Sequence, residues 1–325
     1  MLVPTSVALV AVLAVTGCDK AGPKASGELS SAETSLLASM PRDADLAFGG
    51  NYLRLQKFLA SSGFAKLMTA MENVAPGMTK WIDCFTELKD VKMVGTVSFA
   101  GGAAMRFAMT GITIDDVEKC AKVAAFPTKM DGDRKFLEID TGVSKVGYLV
   151  LPSGALYNRQ SLPNAMNRKA AAQAETSDRA SYEADVAAAA KANATQNTKL
   201  QASIAKVDRS KAMWLAGNAA NTPLGDKVNE LSGSLDFGDG LQVDVVVEMK
   251  DAKLADEILS KFEDVKDMAG MLGPEVKELL DAVRLTKEGS RLHLVMTAST
   301  AQLNTLAAKI PMGALGRPSQ PPLNE

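Results

Sequence analysis

Val97-Ser98-Phe99-Ala100-Gly101-Gly102-Ala103-Ala104-Met105-Arg106-Phe107-Ala108-Met109 reads as a β-hairpin, and the fold is read outward from it. Val97, Phe99, Met105, Phe107 and Met109 share one face, while Thr96, Ser98, Arg106 and Thr110 share the other. Alternation of period two marks a half-buried strand, and Gly101-Gly102 supplies the turn. A second stretch has the same plan. A shift of 138 residues carries Gly95 onto Gly233, Phe99 onto Phe237 and Gly102 onto Gly240. It also carries Met105, Phe107 and Met109 onto Val243, Val245 and Val247, so the same face is apolar in both. A slip of one residue would turn every side chain over. Phe99 and Phe237 are therefore expected to be buried, each under its own helix. Arg106 is expected on an exposed face.

Helix signals follow both hairpins. Asp115-Asp116 opens Asp115–Ala124, which contains Cys120, and Leu254–Phe262 follows the second hairpin; acidic residues suit a helix's first turn. Ala44 to Gly50 reads as a strand, with a counterpart ending at Asn218. Leu53 to Met71 carries apolar residues near helical spacing, and further strands are expected at Phe136–Asp140 and Val146–Leu151. The expectation is an α+β chain of two similar halves. Each half is an antiparallel sheet with helices on one face, residues 41–160 and 209–311. Joining them is an Ala-rich connector, residues 161–208. Between Met166 and Leu200 its sizeable apolar side chains are Tyr182 and Val186, so a solvated helix or helical hairpin is expected there, with disorder as the alternative. Residues 18–40 read as a flexible tether, and residues 312–325, with several prolines, as a disordered tail.

The chain has 325 residues, enough for one large domain or two smaller ones. The formal net charge is -2, and basic residues are dispersed without aromatic interleaving. No nucleic-acid partner is expected. Met is frequent at 16 residues. Met68, Met71, Met78, Met93, Met105 and Met109 read first as core filling and second as the lining of a greasy cavity.

The N-terminus carries the most specific motif. An apolar run, Val7 to Val15, ends in Leu13-Ala14-Val15-Thr16-Gly17-Cys18. It resembles a bacterial lipoprotein signal peptide ending in a lipobox. The resemblance covers residues 1–18 and implies removal of residues 1–17. It also implies a thioether-linked diacylglycerol on Cys18 and usually acylation, commonly with palmitate, of the new amino terminus. The mature chain would then lie lipid-anchored in the cell envelope, facing the periplasm or the exterior, on a membrane it does not span. Asp19 favours inner-membrane retention in enteric bacteria, a rule that does not hold in all bacteria, so inner and outer membrane both stay open. Cys84 and Cys120 would lie where disulfides persist. An even pair there reads as a bridge, with two buried free thiols as the alternative.

No catalytic residue, cofactor site or metal cluster is picked out. His293 is the one histidine. The alternation of Leu292, Leu294 and Met296 puts it on the opposite, less buried face of its strand, and it has no Gly-x-Ser-x-Gly elbow to serve. Ser203-Ile204-Ala205-Lys206 matches Ser-x-x-Lys without the companion motifs of penicillin-binding enzymes. Asp131-Gly132-Asp133 and Asp236-Phe237-Gly238-Asp239-Gly240 resemble calcium-loop fragments, but turn chemistry accounts for both. The reading is a non-enzymatic binding or scaffold module that meets an unknown envelope protein or an apolar ligand. The alternatives are a carrier of lipids or other apolar ligands and, third, an enzyme using carboxylates alone.

Overall fold

The computed structural model describes residues 29–52, 54–55, 76–88, 91–99, 104–142, 144–161, 178–238 and 240–309. In chain order the strands are β1 (Leu46–Asn51), β2 (Lys92–Ser98), β3 (Ala104–Thr110), β4 (Thr128–Met130), β5 (Phe136–Asp140), β6 (Lys145–Val150), β7 (Leu156–Ser161), β8 (Met213–Asn218), β9 (Val228–Phe237), β10 (Gly240–Met249), β11 (Val283–Glu288) and β12 (Arg291–Ser299). The helices are α1 (Ser31–Leu37), α2 (Met78–Thr86), α3 (Ile114–Val123), α4 (Arg179–Lys191), α5 (Thr198–Ile204), α6 (Ala252–Leu272), α7 (Pro274–Asp281) and α8 (Thr300–Lys309). The chain is α+β, with one large antiparallel sheet ordered β11-β12-β10-β9-β8-β1-β2-β3-β7-β6-β5-β4.

Both hairpins form in the same register. Gly95 pairs with Phe107 and Val97 with Met105; Gly233 pairs with Val245 and Leu235 with Val243. The Gly101-Gly102 turn lies outside the described residues. Two separate sheets were expected, and one continuous sheet is found, because β1 and β8 pair directly. Phe48 stands opposite Leu215, with Leu46 opposite Gly217 and Gly50 opposite Met213 on either side. Gly50 (φ 151°) and Gly217 (φ 156°) hold backbone angles that L side chains rarely adopt. A Cβ there would lie 2.1 Å from the Ala212 carbonyl oxygen and 2.2 Å from that of Asp45. Side chains are thus excluded at both ends of the pairing on which the continuous sheet depends.

The face bearing Met93, Val97, Phe107, Val243 and Val245 is here called the front. At one end α2 and α3 cover it, placing Phe85, Ile114, Val117 and Cys120 on Met93, Met109, Leu137 and Leu156. At the other end the helices that follow β10 and β12 place Phe262 and Leu303 on Val243, Val245, Leu294 and Met296. Each fully buried large side chain contributes about 1.5–3 kcal/mol. Met93, Met105 and Met109 are buried core residues, while Met68 and Met71 lie outside the described residues.

The back departs from expectation. Helices were expected on one face, but α1, α4 and α5 cover the back of the first half. Leu37, Tyr182, Leu200 and Ile204 pack there on Val94, Ala108, Tyr157, Trp214 and Ala216. The described part of the connector, residues 178–208, is therefore packed into the core and not a solvated appendage, and residues 162–177 lie outside the described residues. Asp178 caps α4 by accepting from the Ser181 N–H, and Asn197 caps α5 through Leu200. Tyr182 makes up for the paucity of apolar side chains: it is 2% exposed and stacks edge-on against Phe136 and Tyr157. Its hydroxyl accepts from the Gly147 N–H and donates to the Arg159 carbonyl. Helix α1 also falls within residues 18–40, which were expected to be a flexible tether. Order extends back to α1, where Ser30 and Glu33 form a reciprocal capping box and Leu36 and Leu37 are buried. Among the described residues no helix is long and apolar enough to cross a membrane.

Candidate functional site

The middle of the front has a different surface from its ends. Among the described residues, α1 and α5 lie on the back of the central strands β1, β2, β8 and β9, while on the front the cluster under α2 and α3 reaches in as far as Met93, with Phe48 and Met213 packed against it. On the front, Leu46, Val97 and Met105 form a small buried cluster flanked by half-buried Phe48, Phe99, Phe107 and Leu215. Leu231, Leu235 and Phe237 continue it toward the second half, half-buried against the Val243–Leu294 cluster. The register explains why these side chains meet. Phe48 sits directly between Gly95 and Leu215, and Gly95 has no side chain to resist the Phe48 ring, which lies where a Cβ would be. The result is an apolar floor centred on the β1–β8 pairing. Phe99 and Phe237, expected to be fully buried, belong to this floor and are half-buried. Sequence reading missed the floor as a unit. The alternation marked these residues as core-facing, but it does not say that they meet across the β1–β8 pairing.

A second feature lies on the back. Arg106, expected to be exposed, is 8% exposed. Its Nε donates to Asp185 of α4 at 2.9 Å. The Tyr157 hydroxyl donates to the same carboxylate at 3.0 Å, and Arg159 Nε lies 3.5 Å from it. Burial works against the Arg106 charge, but the hydrogen bond and charge of Asp185 more than offset it, so its pKa is raised. Burial also pushes the Tyr157 hydroxyl well above its ordinary value. Beside Arg106, the Thr96 hydroxyl oxygen is buried with no hydrogen-bond partner. The network fastens α4 to the sheet.

The structure brings Cys84 and Cys120 together as a disulfide with Cα atoms 5.5 Å apart, joining α2 to α3. Cys18 lies outside the described residues. His293 stands on the less buried face of β12, beside exposed Arg291 and Thr297, but is itself 8% exposed, and its Nε2 lies 2.8 Å from Asp244 Oδ1. Ser234 stands across from Asp244 on the far side from β12, so the carboxylate separates serine from imidazole. That order is wrong for a Ser-His-Asp relay, in which the imidazole lies between the other two. Ser203 and Lys206 do not meet either. The Ser203 hydroxyl bonds back to the Lys199 carbonyl, and the Lys206 ammonium sits on Glu230. Arg179 occupies the acidic turn at Asp131 and Asp133, and Arg54 bonds Asp236. Protein cations thus take Asp131, Asp133 and Asp236, and Asp239 lies outside the described residues. Among the described residues no group of three or more His, Cys, Asp or Glu is placed to hold a metal ion.

No family model and no curated protein matches the chain. Solved structures do match. Crystal form III of TP0453 aligns at TM-score 0.44 and 8% identity over 84% of this chain and 98% of that one. Crystal form I of TP0453 aligns at TM-score 0.39 and 11% identity over 84% and 96%. At that level of similarity nothing about function carries across.

Proposed function

We propose that the chain is a non-enzymatic lipoprotein of the bacterial cell envelope, anchored through lipid on Cys18 and acting as a binding or scaffold module. The observation that carries the binding role is the half-buried apolar floor around Phe48, Phe107 and Leu215. Among the described residues none from a helix joins the Leu46–Val97–Met105 cluster, and apolar surface of this kind is an ordinary form of a recognition surface. The Cys84–Cys120 bridge supports an address outside the cytoplasm.

The two-half plan belongs to the same proposal. From the β1–β8 pair the strand order runs β1-β2-β3-β7-β6 one way and β8-β9-β10-β12-β11 the other. A shift of 138 relates the hairpin registers, and a shift of 167 carries Phe48 onto Leu215 and Gly50 onto Gly217. Two related halves meeting about Phe48 and Leu215 account for both, and put the floor on the axis between them.

A second reading, a carrier of lipids or other apolar ligands, is favoured by the floor's lack of charge. Gentle detergent extraction of the native protein, followed by mass spectrometry of co-purifying proteins and lipids, separates the two. A stoichiometric protein supports the scaffold, and stoichiometric lipid beyond that on Cys18 supports the carrier. Cys18→Ala is expected to give an unprocessed or freely soluble protein. Unchanged membrane fractionation, with no mass change beyond the substitution, sinks the anchor.

A further inference from the structure

Five large apolar side chains stand out as exposed among the described residues: Val123, Leu224, Val265, Met268 and Met271. The first two are isolated, which is normal for a protein surface. The other three fall within seven residues of α6 and are 41%, 47% and 79% exposed. Their spacing of three lays them along one side of the helix. Ala255, Phe262 and Ala269 are buried on the side facing away from Met271, and Val265, three residues after Phe262 and four before Ala269, stands at the edge of that buried stripe. A helix that packs one stripe on its own sheet and shows a second to the outside has apolar surface to spare.

The charge beside the two methionines is negative, while exposed Lys261 lies one turn before Val265 at the start of the stripe. Glu263, Asp264 and Asp267 are exposed. Lys266, the one basic residue between 263 and 271, turns inward: its ammonium donates to the Val283 carbonyl and lies 5.4 Å from the centre of the Phe262 ring. Asp264 and Asp267 each lie one turn before Met268 and Met271, so carboxylates border both methionines. A helix made to lie on an anionic bilayer carries Lys and Arg at such positions, and this one carries acids.

We propose that the outer face of α6 from Val265 to Met271 is a docking surface for a basic amphipathic helix of a partner protein. Methionine adapts to the shape of an incoming apolar stripe, and helix-on-helix recognition reads anchors at this spacing. The acidic border selects a partner with lysine or arginine beside its stripe and steers its approach. The surface is separate from the central floor and does not rest on it.

The test uses the full chain carrying Cys18→Ala, so that no lipid on that residue contributes. The probe is a short helical peptide of leucine and lysine, with a leucine–glutamate peptide of the same pattern as its control. The leucine–lysine peptide is expected to bind with an affinity that falls as salt rises. Met268→Ser/Met271→Ser should weaken binding by about tenfold or more. Asp264→Asn/Asp267→Asn should weaken it and flatten the salt dependence. Val123→Ser/Leu224→Ser should change nothing. All these side chains are exposed, so the fold should survive, as circular dichroism can check. The proposal is overturned if the leucine–glutamate peptide binds as well, or if the two α6 double variants bind like the native chain. It is equally overturned if vesicles of phosphatidylcholine and phosphatidylglycerol bind the protein in a Met268- and Met271-dependent way, which would make the face a membrane contact.

Discussion

Arg106 and Asp244 occupy equivalent places in two hairpins of the same register, 138 residues apart, on the same face of one sheet. Their surroundings differ. Arg106 lies beneath α4, bonded to Asp185, with a side chain 10% exposed. Asp244 bonds His293 with a side chain 32% exposed. Alternation along a strand states which side chains share a face, but what comes down on that face is decided elsewhere in the chain. In the first half it is the connector, which brings a carboxylate to meet a buried guanidinium. The polar residue of the first hairpin is thereby a core residue, and that of the second is a rim residue.

The largest expected effect tests this contrast. Arg106→Ala leaves Asp185 buried beside Arg159 and Tyr157 with its strongest hydrogen bond gone, and breaking such a pair costs about 3–5 kcal/mol. Asp185→Ala should cost a similar amount, and the double variant less than the sum of the two. Urea unfolding of all three gives the coupling. Additive losses would show that α4 is held by its apolar contacts alone.

The disulfide sharpens the comparison next, because the second half has no cysteine. Cys84→Ser/Cys120→Ser frees a loop with a sequence separation of 36, and the chain-entropy model gives a loss of about 3–4 kcal/mol. Alkylation without reductant, followed by intact-mass analysis, should leave both cysteines unlabelled in protein taken from the envelope. Two labelled thiols at these positions would remove the staple from the account.

The floor gives the third test. Truncating a fully buried Phe costs about 3–5 kcal/mol. Phe99 and Phe237 are half-buried, so Phe99→Ala and Phe237→Ala should each cost less, about 1–3 kcal/mol, and by similar amounts. Equal losses sharpen the kinship of the two hairpins. A loss confined to one of them breaks it.

Much of this fold was legible, and the reasons are local. The hairpins, their register and the helices after them are written in alternation and capping residues. Thr113 closes a capping box with Asp116 at the start of α3, and Asp251 caps α6 through the Leu254 N–H. What was not legible depended on distant partners. Tyr182 carries no sign in sequence that Gly147, Phe136 and Tyr157 will surround it. The glycine pair Gly50 and Gly217 signals a close approach only once β1 and β8 are known to be neighbours. The candidate floor was half legible: its residues were marked as apolar and facing the core, while their meeting across the β1–β8 pairing is a property of the tertiary arrangement. The disulfide followed from counting cysteines once the compartment was inferred.

The smallest expected effect is at Asp244, and it is the sharpest test of the opening comparison. His293 is nearly buried, but the carboxylate it meets is a third open to water. Asp244→Asn keeps both a donor and an acceptor within reach of the imidazole, and water can complete what the amide does not. An ion pair in such a place contributes little. The unfolding midpoint should therefore move by less than about 1 kcal/mol, well below the loss at Arg106. A loss at Asp244 as large as that at Arg106 would mean that the back of the second half is sealed as thoroughly as the first. The contrast drawn from exposure would then be false, and the polar face around His293 would have to be treated as interior.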